Sequence, residues 1–142
     1  MNRAVFGFAS LVAASVLPAP ALAADWQLVA TAKEGTIYVD AHGIVLKDKL
    51  RRAWDKWQYT EDQPGFPGSG IRAFRASKHL AWYNCEERSF AVGEVIYLDA
   101  KGKSVGQITL EVDATSFTPV APDSVSESQL DFVCKSALKN KP

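Results

Sequence analysis

The stretch Ser77–Leu98, SKHLAWYNCEERSFAVGEVIYL, decides how this chain folds. It contains two runs rich in aromatic and β-branched residues, Ser77–Cys85 and Arg88–Leu98, on either side of the charged pair Glu86-Glu87. This pattern is typical of two antiparallel strands joined by a turn. The rest of the fold is built outward from this predicted hairpin.

Alternation assigns the faces of the hairpin, because successive side chains of a strand point to opposite sides of the sheet. In the first strand the face of Cys85 also receives Tyr83, Ala81 and His79, and the other face receives Leu80 and Trp82 with Lys78 and Asn84. In the second strand both parities are apolar, with Phe90, Val92, Ile96 and Leu98 on one and Val95 and Tyr97 on the other.

A helix is predicted near the C-terminal end. Pro122 precedes Ser124-x-x-Glu127, a capping box in which the hydroxyl and the carboxylate satisfy free amides of the first turn. The following apolar residues have the i, i+3, i+4, i+7 spacing of one helix face, and lysines near the end suit the helix dipole. The apolar positions are Leu130, Val133, Cys134 and Ala137, and the lysines are Lys135, Lys139 and Lys141.

The two cysteines, Cys85 and Cys134, are predicted to form a disulfide that ties this helix to the sheet. An isolated pair in an oxidising compartment usually does so, and the chain-entropy relation gives about 4 kcal/mol for a loop of about 50 residues. A redox dithiol is disfavoured because the spacing is far from Cys-x-x-Cys. A metal site is disfavoured because His42 and His79 are distant from each other in sequence.

The remaining pattern is mostly β. Glu61–Gly70 (EDQPGFPGSG) holds two prolines and three glycines and is predicted to be irregular. The expected class is α+β, an antiparallel sheet of about five to six strands with one C-terminal helix packed on one face. Further strand segments are predicted at Trp26–Ala32, Thr36–Asp40, Ile44–Lys47, Leu50–Thr60, Ser104–Val112 and, as a short edge strand, Thr115–Val120.

The N-terminus is predicted to be a cleavable signal peptide, residues 1–23. Arg3 precedes the apolar run Ala4–Leu17, and Ala21-Leu22-Ala23 supplies the small residues needed for cleavage between Ala23 and Ala24. The alternative of a membrane anchor is disfavoured because the 14-residue run is shorter than the roughly 20 residues that span a bilayer. Ala24 is not a cysteine, so a lipid anchor is not expected, and the protein is expected in the periplasm, at the cell surface or secreted.

Charge and motifs exclude several function classes. Residues 24–142 carry 15 Lys and Arg against 16 Asp and Glu, whereas a nucleic-acid-binding domain is usually strongly basic. Ser69, Ser77 and Ser89 lie in no Gly-x-Ser-x-Gly motif, and both histidines are interpreted as structural or surface residues. No catalytic residue, cofactor or metal is predicted. An enzyme would require a cleft that pairs a histidine with a carboxylate.

One helix covers one face of such a sheet, so something else must cover part of the other face. Three alternatives are open. The sheet curls, the Pro/Gly loop (the segment Glu61–Gly70) folds over that face, or a partner covers it, either a second copy in a homodimer or another protein. Large uncovered apolar patches mark interaction sites, and Trp, Tyr and Arg dominate interface energetics. The candidate partner-binding residues are Trp82, Leu80, Arg52, Trp57, Tyr59 and Phe66.

An ordered set of short motifs runs through the chain: Trp26, TIYVD at 36–40 with Ile44, Arg52-Ala53-Trp54, Arg75–Lys78, Asn84-Cys85, then PDSVSE at 122–127 and Phe132-Val133-Cys134. The set resembles the surface-adhesin protein E family of small exported proteins. The resemblance implies that residues 24–142 form one adhesin E-like domain, with an antiparallel sheet and a disulfide-held C-terminal helix. It also implies attachment to host extracellular-matrix or serum proteins.

Two non-enzymatic functions are therefore predicted, both without nucleic acid. The first is an adhesin-like protein that binds a host matrix or serum protein. The alternative is a periplasmic inhibitor or accessory protein of an envelope enzyme, similar to a lysozyme inhibitor, because a rigid, disulfide-stapled domain loses little entropy on binding.

Overall fold

A computed structural model describes residues 23–138, so the predicted signal peptide, apart from Ala23, and Lys139 and Lys141 lie outside the described residues. The described chain forms eight strands, a one-turn 3₁₀ helix at Ala114–Ser116 and one α-helix. The elements are β1 Trp26–Ala32, β2 Gly35–Asp40, β3 Val45–Lys47, β4 Leu50–Gln63, β5 Phe74–Asn84, β6 Ser89–Leu98, β7 Ser104–Thr109, β8 Thr118–Pro119 and α1 Val125–Lys135.

The predicted α+β class is confirmed, although the sheet has more strands than the five to six expected. All strand pairs are antiparallel, in the order β1-β2-β4-β5-β6-β7. Six strands form the main path of the sheet, and β3 and β8, of three and two residues, pair only with the ends of β4 and β6. Both short strands lie within the predicted segments Ile44–Lys47 and Thr115–Val120. The longest strand, β4, continues to Gln63, so the first three residues of the predicted irregular segment are extended.

A β-bulge at Gly93 changes the predicted faces of β6. Leu80 pairs with Glu94 and Ala81 with Val92, so Gly93 is an additional residue on the β6 side. Beyond the bulge the parity of β6 reverses. Phe90 and Val92 therefore share a face with Val95 and Tyr97, which corrects the prediction from strict alternation.

The helix-side face, defined here as the face on which α1 lies, contains the main core. Leu130 and Val133 of α1 are fully buried against Ala81 and Tyr83 of β5, as the alternation predicted. Val39 of β2, Ala53 of β4 and Ile44, which directly precedes β3, complete the cluster. This part of the core lies at one end of the sheet.

The Pro/Gly loop covers the other end of the same helix-side face. Phe66 pairs with Ile71 across the loop, and its ring lies 6.0 Å from Phe74 and 5.5 Å from Tyr97. Tyr97 pairs with Ser77, which shares the parity of Tyr83. The prediction that this loop could fold over the opposite face is therefore wrong: helix and loop lie side by side on one face.

The caps of α1 differ in detail from the predicted capping box. The Ser124 hydroxyl accepts the Glu127 amide at 3.2 Å, as expected. The Glu127 carboxylate, however, accepts from the backbone of Asp123 at 2.8 Å and not from Ser124. The helix ends at Lys135, so Ala137 is exposed beyond it and does not extend the apolar face.

Three connections hold α1 to the sheet. The predicted disulfide joins Cys85 to Cys134, with 5.7 Å between their Cα atoms. In β4, Arg51 donates to the carbonyl oxygens of Val133 at 2.7 Å and Ser136 at 2.6 Å, which satisfies acceptors left free at the helix end. Arg88, in the turn after Cys85, forms ion pairs with Glu127 at 2.8 Å and Asp131 at 3.0 Å.

Removing the disulfide should lower the free energy of unfolding by about 4 kcal/mol, because the unfolded chain regains the freedom of a loop closed over 49 residues. The test is urea unfolding of C85S/C134S beside the wild type with and without reductant. The reduced wild type should match the double variant. An oxidised wild type no more stable than the reduced one would contradict the prediction.

Arg51→Gln should destabilise the fold by about 2 kcal/mol, since two charge-assisted hydrogen bonds to the helix end are lost. Arg52→Gln is the matched control, because this neighbour points to the opposite face of the sheet. Equal unfolding midpoints for R51Q and R52Q would show that the contact with the helix end does not contribute.

Candidate functional site

The face of the sheet opposite α1, called the open face here, carries alternating cationic and aromatic side chains. The pairing of β4 with β5 sets Arg52 opposite Trp82 and Lys56 opposite Lys78. Between these two pairs, Trp54 lies opposite Leu80. The strand pairing of β1 and β2 brings Trp26 and Tyr38 to the same face.

Two cation–aromatic clusters stand on this face. In the Trp82 cluster, Lys47 Nζ lies 5.7 Å and the Arg52 guanidinium carbon 5.5 Å from the ring centroid of Trp82. These distances allow the indole to attract both cations electrostatically.

The second group, the Trp26 cluster, repeats this arrangement. Lys56 Nζ lies 4.9 Å from the rings of both Trp26 and Tyr38, and Lys78 Nζ lies 5.6 Å from Trp26. Each cluster thus holds two cations over one indole. Together they present four positive charges in defined positions on one face.

A chain segment borders the open face beside Trp82. Residues 112–117 cross there, and a Cβ built on Gly93 would lie 3.3 Å from the Val112 side chain and 3.5 Å from the Trp82 indole nitrogen. A groove of about 510 Å³ remains beneath this segment. Its lining is mainly apolar and includes Leu50, Trp82, Val112 and Phe117, with Glu87 and Asp113 also present.

The structure divides the six predicted partner-binding residues between the two faces. Trp82, Leu80 and Arg52 lie together on the open face. Trp57, Tyr59 and Phe66 lie on the helix-side face, where Trp57 contacts the ring of His79, Tyr59 bonds to Ser77 and Phe66 is packed in the loop.

Of the four cations, only Arg52 is among the predicted partner-binding residues, although alternation places Lys78 on the face of Trp82. Lys56 has the parity of Arg52 within one strand, so alternation could have found it. Trp26 could not be found this way, because it reaches the open face through the pairing of β1 with β2 and of β2 with β4. Lys47 belongs to β3, a strand of only three residues.

A histidine–carboxylate pair lies on the helix-side face. The imidazole Nδ1 of His79 is 2.6 Å from Asp55 Oδ1, and the Tyr83 hydroxyl donates to Asp55 Oδ2 at 3.4 Å. The sequence alone did not indicate this pair, which is the pairing that an enzyme would require; it forms because the register sets Asp55 directly opposite His79. His42 lies in the turn after β2, with Nε2 4.0 Å from Asp25.

This pair borders a small cavity of about 150 Å³ between the sheet and α1, to which Ser126 and Gln129 also contribute. The carboxylate of Asp55 is buried, and it orients the imidazole through Nδ1. Within residues 23–138 no serine, threonine or cysteine side chain is hydrogen-bonded to His79. The contacts observed connect β4 with β5 and hold the imidazole against the core.

Among residues 23–138, no group of three or more His, Cys, Asp or Glu side chains is placed to hold a metal ion. Across the same range no helix is long and apolar enough to cross a membrane.

Burial and the Asp55 carboxylate raise the pKa of Tyr83 well above its ordinary value of 10.0. Above about pH 10 the unfolded chain therefore releases a proton that the folded state retains, so stability that is complete at lower pH falls as pH rises, by at most about 1.4 kcal/mol per pH unit. Tyr83→Phe should reduce this fall. Urea unfolding between pH 9 and 11 measures it, and an unchanged slope in Y83F would contradict the assignment.

Comparison with known proteins adds a family to this geometry. No curated protein and no solved structure matches the chain. The sequence profile of the family described as surface-adhesin protein E matches residues 26–135, which run from the first residue of β1 to the last residue of α1. The matched range includes both cation–aromatic clusters and the disulfide. The chain therefore belongs to the surface-adhesin protein E family.

Proposed function

We propose that this protein is an exported, non-enzymatic adhesin that binds a host extracellular-matrix or serum protein through its open face. Export would use residues 1–23 as the signal peptide, and residues 24–142 would act as one domain. The observation that carries the proposal is the pair of cation–aromatic clusters on a face that α1 and the Pro/Gly loop leave uncovered. Family membership supports the same class of function.

The composition of the open face favours a protein surface as partner. Trp and Arg contribute most to interface energetics when they become desolvated. Here Trp82 and Arg52 lie in direct contact, and the apolar pair Trp54 and Leu80 separates them from the second cluster. A partner would meet apolar area at the centre and cations on either side of it.

A second candidate function, inhibition of an envelope enzyme, is favoured by the Pro/Gly loop. The Phe66 ring packs on one side against Phe74 and Tyr97, yet the residue is 45% exposed. The Phe66 carbonyl accepts from the Ser69 hydroxyl at 2.6 Å, and the Ser69 hydroxyl accepts from the Ile71 amide at 3.2 Å. A loop fixed by these hydrogen bonds, with the Phe66 ring partly exposed, would suit insertion into a hydrolase cleft.

Substitutions on the two faces should separate these functions. L80E places a carboxylate between the two clusters on the open face, and it should weaken binding to immobilised matrix and serum proteins by about tenfold or more. Phe66→Ala, the matched control on the loop, should leave that binding unchanged. Near-UV circular dichroism checks that both variants are folded.

Surface labelling of intact cells tests the location that adhesion requires. Labelled protein on intact cells, with the losses expected for L80E, supports the adhesin. The opposite outcome would favour the inhibitor over the adhesin. In that case the protein stays inaccessible in the periplasm and captures a hydrolase, and F66A loses this capture.

A further inference from the structure

We infer that the open face binds an extended sulfated polysaccharide, with the Trp82 and Trp26 clusters as its two points of anion contact. This inference deepens the proposed function, on which it rests for the face that is used. It names the chemistry of the partner: a chain carrying repeated sulfate groups, such as the glycan chains of an extracellular matrix.

The charges of the two clusters are not neutralised by the protein. Of the ion pairs found within residues 23–138, none includes a cation of either cluster. Four acids lie near: Glu87 and Asp113 line the groove beside Trp82, Glu94 bonds to Gln107 at 2.8 Å, and Asp40 accepts backbone amides. The whole chain has 16 Lys and Arg and 16 Asp and Glu, so this positive excess is local to the face. The cations concerned are Lys47, Arg52, Lys56 and Lys78.

The direct pairing of Lys56 with Lys78 is the feature that folding alone does not explain. Like charges directly opposite each other in an antiparallel pair destabilise a sheet. The Trp26 ring beneath both ammonium groups offsets part of that repulsion. An anion bound between the two lysines would offset the remainder, so the pair is arranged to receive negative charge.

The distance between the clusters selects an extended ligand. Arg52 and Lys56 are four residues apart on β4, so their Cα atoms are separated by about 13 Å at the usual rise of a strand. A single inorganic anion cannot touch both clusters. A polymer with anionic groups repeated along its length can contact both at once, and the second contact then forms at a high effective concentration.

The position of the clusters disfavours other polyanions. An extended acidic peptide typically adds to a sheet edge, whereas three of the cations, Arg52, Lys56 and Lys78, lie on the faces of β4 and β5, which are interior strands. Single-stranded nucleic acid binds by stacking bases on free aromatic rings, but the indoles of Trp26 and Trp82 already carry two cations each. Three of the four cations are lysines. A lysine ammonium is a point charge and, unlike arginine, is not shaped to hold a carboxylate by two parallel hydrogen bonds, so a sulfate suits these positions as well.

Calorimetry with protein purified from cells expressing the full chain tests the inference, with heparin as the probe. Heparin should bind, and its affinity should fall as salt is raised, because exposed charges are screened. Fully desulfated heparin, polyglutamate and oligo-dT of similar length should each bind at least about tenfold more weakly.

Charge-neutralising variants locate the site. K56Q/K78Q and K47Q/R52Q should each weaken heparin binding by about tenfold. The control K101Q/K103Q makes the same change in net charge in the exposed turn after β6 and should change the affinity less than about twofold. K56R/K78R should retain binding. Unfolding midpoints of all variants show whether any loss comes from misfolding.

Three results would overturn the inference: no heparin binding at low salt, equal binding of desulfated heparin or of the other polyanions, or equal losses in the control variant. The matrix-protein assay keeps the two proposals apart. Binding to matrix proteins without binding to heparin removes the polysaccharide and leaves the adhesin. Binding to heparin without binding to any matrix or serum protein removes the protein-binding adhesin and leaves the polysaccharide.

Discussion

The pairing of β4 with β5 determines what each face of the sheet carries. In this register Asp55 lies opposite His79 on the helix-side face, and on the open face Arg52 lies opposite Trp82 and Lys56 opposite Lys78. A shift of β5 by one residue against β4 would move Lys78, His79 and Trp82 to the other face and break each of these pairs. The buried polar contacts of the core and the cationic surface of the open face are therefore two results of a single register.

The helix-side face is closed by two neighbouring covers of different kinds. At one end α1 is attached by a disulfide, by Arg51 at its C-terminal end and by the ion pairs of Arg88. At the other end the Pro/Gly loop is held by aromatic rings that pack at tilted or edge-on angles, with the ring centroids of Phe74 and Tyr97 4.7 Å apart. Since helix and loop occupy the same face, the opposite face is left to cations held over indoles. The binding role proposed for that face rests on this asymmetry.

Local patterns in the sequence anticipated the elements that depend on neighbours along the chain. The Ser124 cap and the buried Leu130 and Val133 follow from spacing within one helix, and the hairpin from two apolar runs around one charged turn. The prediction of the disulfide required only two assumptions, namely an oxidising compartment and no other cysteine with which Cys85 or Cys134 could pair. The prediction of faces from alternation was wrong beyond Gly93, because a bulge inserts one residue into β6 there. Since both faces of this strand are apolar, the hydrophobic pattern could not indicate the bulge.

The sequence by itself determined the class of fold, the disulfide and the capped helix, since propensity, spacing and cysteine count are properties of short segments. Only the tertiary structure decided which face the loop covers and which side chains meet. Trp26 and Lys78 come together although they are far apart in sequence, and Asp55 finds His79 across a strand pair. Such contacts depend on register and on the side of the sheet to which a loop returns. These are set by the summed burial of many residues, and no single segment encodes them.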